Sequence, residues 1–273
     1  RYNTADYLNV DPLLGTNEEF EVLCREAAKY GIGIVLDGVF SHTGSDSRYF
    51  NREGRYGEGG AYRDPNSPYR SWYDFDPKYK GGYRSWWGFE TLPEVNEETP
   101  SFVEFITGEG GVIDTWLRRG AAGFRLDVAD ELPDEFIEKI RTAVKRVSPE
   151  KFLLGEVWED ATTKFGFDHR RTYLLGKGLD SVMNYPFKNS VLDFVKGKPA
   201  QQAANEILSI CEHYPAPAIN TALNFLSTHD TERALTVIAD EPANGRGREW
   251  QSGRSVTGEA YEEGMLRLRM AYA

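Results

Sequence analysis

The sequence predicts an α/β protein built on a parallel sheet, and three observations carry that prediction. After Pro100, short apolar runs alternate with segments of helical period, the pattern of strands joined by crossover helices. The runs are continuous in apolar residues and bounded by Gly, as strands buried on both faces read. Three of them lead to a carboxylate, in Gly123-Phe124-Arg125-Leu126-Asp127, Leu153-Leu154-Gly155-Glu156 and Phe225-Leu226-Ser227-Thr228-His229-Asp230. An ionised group in a doubly covered sheet is costly unless paired, so three such placements point to chemistry beyond folding.

Taken in order, residues 17–30 place Phe20, Leu23, Cys24, Ala27 and Ala28 at helical spacing behind the cap signal Thr16-Asn17. Gly31 to Asp37 then reads as a buried strand. Residues 43–99 hold thirteen aromatic residues among Gly, Asp, Asn and Pro with no sustained period, and read as an irregular inserted subdomain that serves as a lid or binding wall. Beyond them the pattern predicts a helix over 101–119, a strand at 122–127, a helix at 134–147 after Pro133 and a strand at 151–156. A weaker strand at Leu179 to Met183, a helix within 200–213, a strand at 220–227 and a helix from Gly264 to Ala273 follow.

Composition narrows the function. The 273 residues carry a formal net charge of −11, which repels nucleic acid and anionic membrane surfaces and leaves a neutral substrate as the easier fit. No apolar run approaches the roughly 20 residues of a membrane-spanning helix. Cys24 and Cys211 lack metal or CxxC spacing, and both read as core residues of helices. The Gly-rich pieces 57–60 and 108–111 are acidic and lack the GK[ST] ending of a phosphate cradle, and no HExxH or GxSxG occurs. The first residue is Arg, so the compartment stays open, cytoplasmic being favoured over secreted.

The strand period of two sends Arg125 and Asp127 to one face, where the guanidinium favours an ionised Asp127, fit for a nucleophile or stabiliser; the pair also reads as a structural ion pair. Glu156 stands between Leu153-Leu154 and Val157-Trp158, surroundings that raise a carboxyl toward a general acid's range, or it is a helix-entry Glu. His229-Asp230 equally reads as a helix cap, and His42 by itself as a hydrogen-bonded structural residue. Strand ends of a parallel barrel or sheet share one edge, however, so His42, Asp127, Glu156 and Asp230 converge there in this reading. Paired carboxyls, one ionised and one protonated, are the equipment of a retaining glycosidase.

These motifs, in order, resemble those of the α-amylase superfamily of glycoside hydrolases: Asp37 to His42, Leu92-Pro93-Glu94-Val95-Asn96, Gly123 to Ala129, Gly155 to Trp158, and Ser227 to Asp230. Arg1 to Tyr7 with Asp11-Pro12 resembles the loop after the second barrel strand, so the resemblance covers essentially the whole chain. It implies a partial (β/α)8 TIM barrel with about strands 3 to 7, residues 1–42 and 100–273 forming the catalytic barrel portion and 43–99 the subdomain inserted after strand 3. By motif, Asp127 is the nucleophile, Glu156 the acid/base, and Asp230 the third carboxylate that grips sugar hydroxyls. The same analogy has Arg125 keep Asp127 ionised, His42 and His229 bond hydroxyls at the cleavage point, Tyr2 stack beneath that sugar, and Trp158 flank the leaving group.

The continuation Val128-Ala129-Asp130-Glu131 is closer to the neopullulanase and cyclomaltodextrinase branch, whose members cleave α-1,4 and often α-1,6 bonds in maltodextrins, pullulan or cyclodextrins. The function implied is retaining hydrolysis of an α-glucan. A transglycosylase with the same carboxylates and a non-catalytic binding subunit stand as alternatives, the latter opposed by the presence of all three carboxylates. No cofactor is required; Ser41 replaces the Asn that ligates calcium in calcium-dependent relatives and puts that site in doubt. About five of eight strands are expected, so the chain is read as a fragment of a longer enzyme, or as one that covers its edges with another copy. A homodimer through a flanking domain outside this sequence is the expected protein partner.

Overall fold

In the computed structural model, which describes residues 2–239 and 243–273, the alternation of apolar runs and helices resolves into a parallel sheet. Helix α1 (Asn17–Ala28) starts from a reciprocal capping box, with Thr16 Oγ1 accepting from the Glu19 N–H and the Glu19 carboxylate accepting from the Thr16 N–H. Strands β1 (Val35–Gly38), β2 (Gly123–Leu126) and β3 (Phe152–Gly155) pair in that order, all parallel. Their register sets Asp37 beside Arg125 and Arg125 beside Leu154. Every residue of β2 is buried, and the fit is close: a Cβ on Gly123 would lie 2.0 Å from the Phe152 carbonyl oxygen.

Helices α2 (Pro100–Thr107), α3 (Val112–Arg118) and α4 (Asp134–Val147) pack on one another beside these strands. Helix α4 buries Phe136, Ile137, Ile140, Ala143 and Val144, a stripe at helical spacing. The single helix expected over 101–119 is instead two. Gly108 to Gly111 separate them, with Gly110 at φ 72° and no room for a Cβ on Gly111, which would stand 2.7 Å from the Phe105 carbonyl.

Residues 43–99 form three 3-10 turns, Arg70–Trp72, Lys80–Gly82 and Trp86–Gly88, around a core of rings. Phe50 meets Tyr83 at 4.6 Å and Tyr73 at 4.8 Å, all three buried. After β3 comes a two-residue antiparallel pair, β4 (Phe165–Gly166) and β5 (His169–Arg170), turned by Phe167 and Asp168 at φ 53° and 61°. One compact unit runs through Glu156 and takes in Phe165–Asp180.

The other unit holds Val157–Lys164 and Ser181–Ala273. It comprises β6 (Ser181–Val182), α5 (Tyr185–Val195), α6 (Ala200–His213), α7 (Ala216–Ile219), α8 (Ala234–Ala239), α9 (Arg248–Ser252) and α10 (Gly258–Tyr272). Leu192, Val195, Leu226, Ala234 and Ile238 form its core, with Leu268 and Ala271 packed against them. Gly264 lets α10 approach α8; a Cβ there would stand 2.3 Å from the Ala239 Cβ.

Three expectations are corrected here. The strand over 220–227 is a single parallel bridge from Leu223 to Met183, because Thr221 and Ala222 donate back to Ala218 and Ile219 and turn the chain. Cys24 is buried, but Cys211 is exposed: it follows Ile210, which with Ala203 is a buried position of α6, by about 100° of helix rotation. Helix α5 lies where no element was expected, although Asn184 caps it by accepting from the Phe187 N–H and Pro186 occupies its first turn.

Candidate active site

The carboxyl ends of β1, β2 and β3 bring four charged side chains together in the first unit. Arg125, on the same face of β2 as the residue two further on, reaches both neighbours. Its Nη1 lies 2.7 and 2.9 Å from the Asp37 oxygens and 2.8 Å from Asp127 Oδ1. Its Nη2 is 2.9 Å from Glu156 Oε2, an ion-pair distance without hydrogen-bond alignment. Asp127 and Glu156 continue the ladder one residue past their strands, donating to the Gly38 and Leu126 carbonyls. Their backbones are therefore pinned by the sheet.

Glu156 has a second anchor. The Val128 N–H donates to Glu156 Oε2 at 2.9 Å, and Val128 reaches that position only by adopting φ 41°, ψ 48°. A β-branched residue is strained in the left-handed region, by about 1–3 kcal/mol. Strain thus sits between the two carboxylates, on the residue that links one strand end to the other.

Asp127 and Glu156 are buried, as is most of Arg125. Burial pushes the Asp127 carboxyl up to about 7, Arg125 pulling it down and Asp37 and Glu156 pushing it further up. One guanidinium is shared among three carboxylates, so its field does not offset the lost hydration. Burial also opposes the charge of Arg125, but Asp37, Glu156 and Asp127 outweigh that and raise its pKa.

Tyr2 donates its hydroxyl to Asp37 Oδ2 at 3.0 Å, so it belongs to the same cluster. His42 is buried beyond β1, with Nδ1 hydrogen-bonded to Ser41 Oγ at 2.9 Å and its ring 5.3 Å from that of Trp86. Burial lowers its pKa to about 4, so it is a neutral imidazole at pH 7. Tyr7 braces this turn by donating to the Val39 and His42 carbonyls.

The remaining expected residues lie in the second unit. Trp158, His229 and Asp230 line a cleft of about 810 Å³, with Lys188, Asn189 and Arg246. His229 Nε2 is 3.1 Å from Asp230 Oδ2, both exposed, and Trp158 stacks on Tyr185 with centroids 4.4 Å apart. The next helix begins at Ala234, so Asp230 is not its cap residue.

Two residues given no role in the sequence reading belong to the first cluster. Asp37 was legible in principle, since the second-to-last residue of β1 faces Arg125 once the strands are paired. Val128 carries no local signal, because its role is a backbone conformation that its side chain disfavours. At the position that the calcium expectation turned on, Ser41 Oγ lies 2.9 Å from His42 Nδ1, and among the described residues no three His, Cys, Asp or Glu side chains are grouped to hold a metal ion.

A parallel sheet whose carboxyl edge gathers buried carboxylates around one guanidinium places the chain among α/β proteins that carry a charged site at their strand ends. More narrowly, it belongs to the α-amylase catalytic-domain family: the family model described as Alpha amylase, catalytic domain matches residues 1–249. The chain is 36% identical over 275 residues to an amylopullulanase of Thermoanaerobacterium saccharolyticum, covering 89% of this chain and 21% of that protein. It is 33% identical to neopullulanase 2 of Thermoactinomyces vulgaris, covering 90% and 40%.

Among solved structures, the type III pullulan hydrolase from Thermococcus kodakarensis superposes with a TM-score of 0.79 at 26% identity, over 99% of this chain and 43% of that one. Cyclic α-maltosyl-(1→6)-maltose hydrolase from Arthrobacter globiformis, ligand-free, gives 0.77 at 29%, over 88% and 52%. The fold is thus of the (β/α)8 barrel type, and the chain spans less than half the length of these curated relatives.

Proposed function

We propose that this chain carries the catalytic machinery of a retaining α-glucan hydrolase, cleaving α-1,4 and, in branched or mixed-linkage substrates, α-1,6 glucosidic bonds. The observation that carries the proposal is the sharing of Arg125 among Asp37, Asp127 and Glu156 at one sheet edge, with Glu156 fixed by the strained Val128 amide. Relatives named amylopullulanase, neopullulanase and cyclomaltodextrinase support the substrate class.

In this reading ionised Asp127 attacks the anomeric carbon while Glu156 gives its proton to the departing glycosidic oxygen, leaving a glycosyl-Asp127 ester and the shortened alcohol. Glu156, now a carboxylate, takes a proton from water. The water oxygen attacks the same carbon, and Asp127 leaves with the electron pair of the ester bond. Arg125 holds Asp127 through its Oδ1 in both charge states. By motif, Asp230 and His229 are assigned to sugar hydroxyls, Trp158 to the leaving-group side, and residues 43–99 to an inserted subdomain.

The test is reducing-sugar release from soluble starch and pullulan by this chain and its Glu156→Gln variant, both confirmed as folded by circular dichroism. Loss of general acid catalysis is expected to lower the rate by about 10²–10⁴-fold. Equal rates in the two proteins would remove Glu156 from the mechanism.

A further inference from the structure

Residues 86, 87 and 131 join two indole rings, one of them exposed on a strained backbone, to one carboxylate. The two indoles of Trp86 and Trp87 donate to one carboxylate: Trp86 Nε1 to Glu131 Oε2 at 2.7 Å and Trp87 Nε1 to Glu131 Oε1 at 2.9 Å. Glu131 belongs to the turn that follows Asp127, so the tryptophans are tied to the loop that carries the nucleophile. That turn is itself clamped. Buried Arg171 donates to the Asp130 and Leu132 carbonyls and pairs with Asp134, gripping the backbone on both sides of Glu131.

The position of Trp87 is not explained by packing. Its side chain is 75% exposed, and its backbone lies at φ 50°, ψ 24°, a region costly for a bulky residue. Strain with no gain from burial argues that something outside the chain uses this ring. Trp86 lies between it and His42, with ring centroids 5.6 and 5.3 Å apart and planes inclined by 34° and 30°. The three rings form a row that leads from the turn after β1 into a cavity of about 800 Å³.

The chemistry of that cavity names its ligand. Both tryptophans line it, together with the carboxylates of Asp74, Glu94, Glu98 and Asp130 and one guanidinium, that of Arg84, which is 2.7 Å from Glu94 Oε1 and leaves the rim acidic in balance. Such a rim rejects phosphates and carboxylates, whereas the apolar C–H faces of neutral pyranose rings stack on indoles and their hydroxyls bond to carboxylates. Both Glu131 oxygens already accept from indole N–H groups, so Glu131 acts through the rings it holds.

We infer that Trp86 and Trp87 form a stacking wall for a glucan chain running outward from the carboxylate cluster, with Glu131 as the residue that positions both rings. The inference rests on the α-glucan reading of the site. Its test is calorimetric titration of maltoheptaose into the Glu156→Gln protein, which binds without turnover, and into the same protein carrying Trp87→Ala, Glu131→Gln or both.

Trp87→Ala weakens binding about tenfold, the equivalent of one good contact. Glu131→Gln, with one acceptor oxygen for two donors, weakens it less, and the double variant binds no worse than Trp87→Ala alone. Exposed Trp87 can be removed without loss of fold, as circular dichroism will record. Unchanged affinity in Trp87→Ala, or additive losses in the double variant, overturns the wall while starch hydrolysis by the parent leaves the functional reading intact. A parent that neither hydrolyses starch nor binds maltoheptaose overturns both.

Discussion

At the scale of single residues, charge sharing rather than pairing governs the site. Arg125 faces three carboxylates, and burial leaves Asp127 with a pKa near 7 against an ordinary 3.8. The folded state therefore keeps a proton that the unfolded chain has lost. The stability this contributes is complete below pH 4 and disappears as pH rises through about 7. Asp127→Asn is expected to flatten that fall in thermal stability between pH 4 and 7.5, measured as Tm; an unaltered slope would assign it to other groups. On the proposed mechanism activity runs the opposite way, since its attacking form is ionised Asp127, and kcat/KM on maltodextrin should fall on the acid side with a midpoint near 7. Arg125 and Asp127 were legible in sequence because strand alternation puts them on one face. The strained Val128 was not, since no side-chain pattern encodes a left-handed residue, and the direction of the Asp127 shift depends on neighbours supplied by other strands.

At the scale of elements, the strands carrying Asp127 and Glu156 are fixed by a near contact at Gly123. With only 2.0 Å between a Cβ there and the Phe152 carbonyl, Gly123→Ala must push β2 from β3. Overpacking of this kind costs about 1–3 kcal/mol. A lower Tm together with loss of activity is the expected outcome, and a fully active, equally stable variant would show that the strands can separate at no cost. Helix α4 gives a purely structural comparison: Ile140→Ala removes a fully buried side chain and should cost about 2–5 kcal/mol in chemical unfolding. Elements with a strong period, α1, α4 and α6, were read from sequence nearly to their ends. The break between α2 and α3 was missed because helical spacing resumes on both sides of Gly108 to Gly111. The strand over 220–227 was misread because apolar composition cannot distinguish a ladder from a chain that turns after Ile219 and touches it once.

At the scale of the whole molecule, a net charge of −11 and the carboxylate-rich cleft beside Trp86 and Trp87 set which polymers can approach. Maltodextrin turnover should be nearly indifferent to salt between 20 and 200 mM, those limits being roughly 20 and 7 Å in screening length, whereas phosphorylated starch should be a poor substrate that improves as salt is added. The parallel sheet was legible in the sequence from the alternation of apolar runs and helices, although β1, expected to be buried, is exposed at Val35 and Asp37 while β2 is buried throughout. The placement of His229 and Asp230 in a unit other than that of Asp127 was not, since sequence order does not record how a chain divides. Finally, the paired indoles on Glu131 have an optical consequence. Two identical chromophores 5.6 Å apart and inclined by 34° are close enough to couple their strong transitions, so this pair is expected to add an exciton couplet to the far-ultraviolet circular dichroism of a chain with six tryptophans. On the inferred stacking wall, a sugar ring laid against Trp87 shifts one partner's transition more than the other's, so a change in that couplet is the expected label-free signal of occupancy.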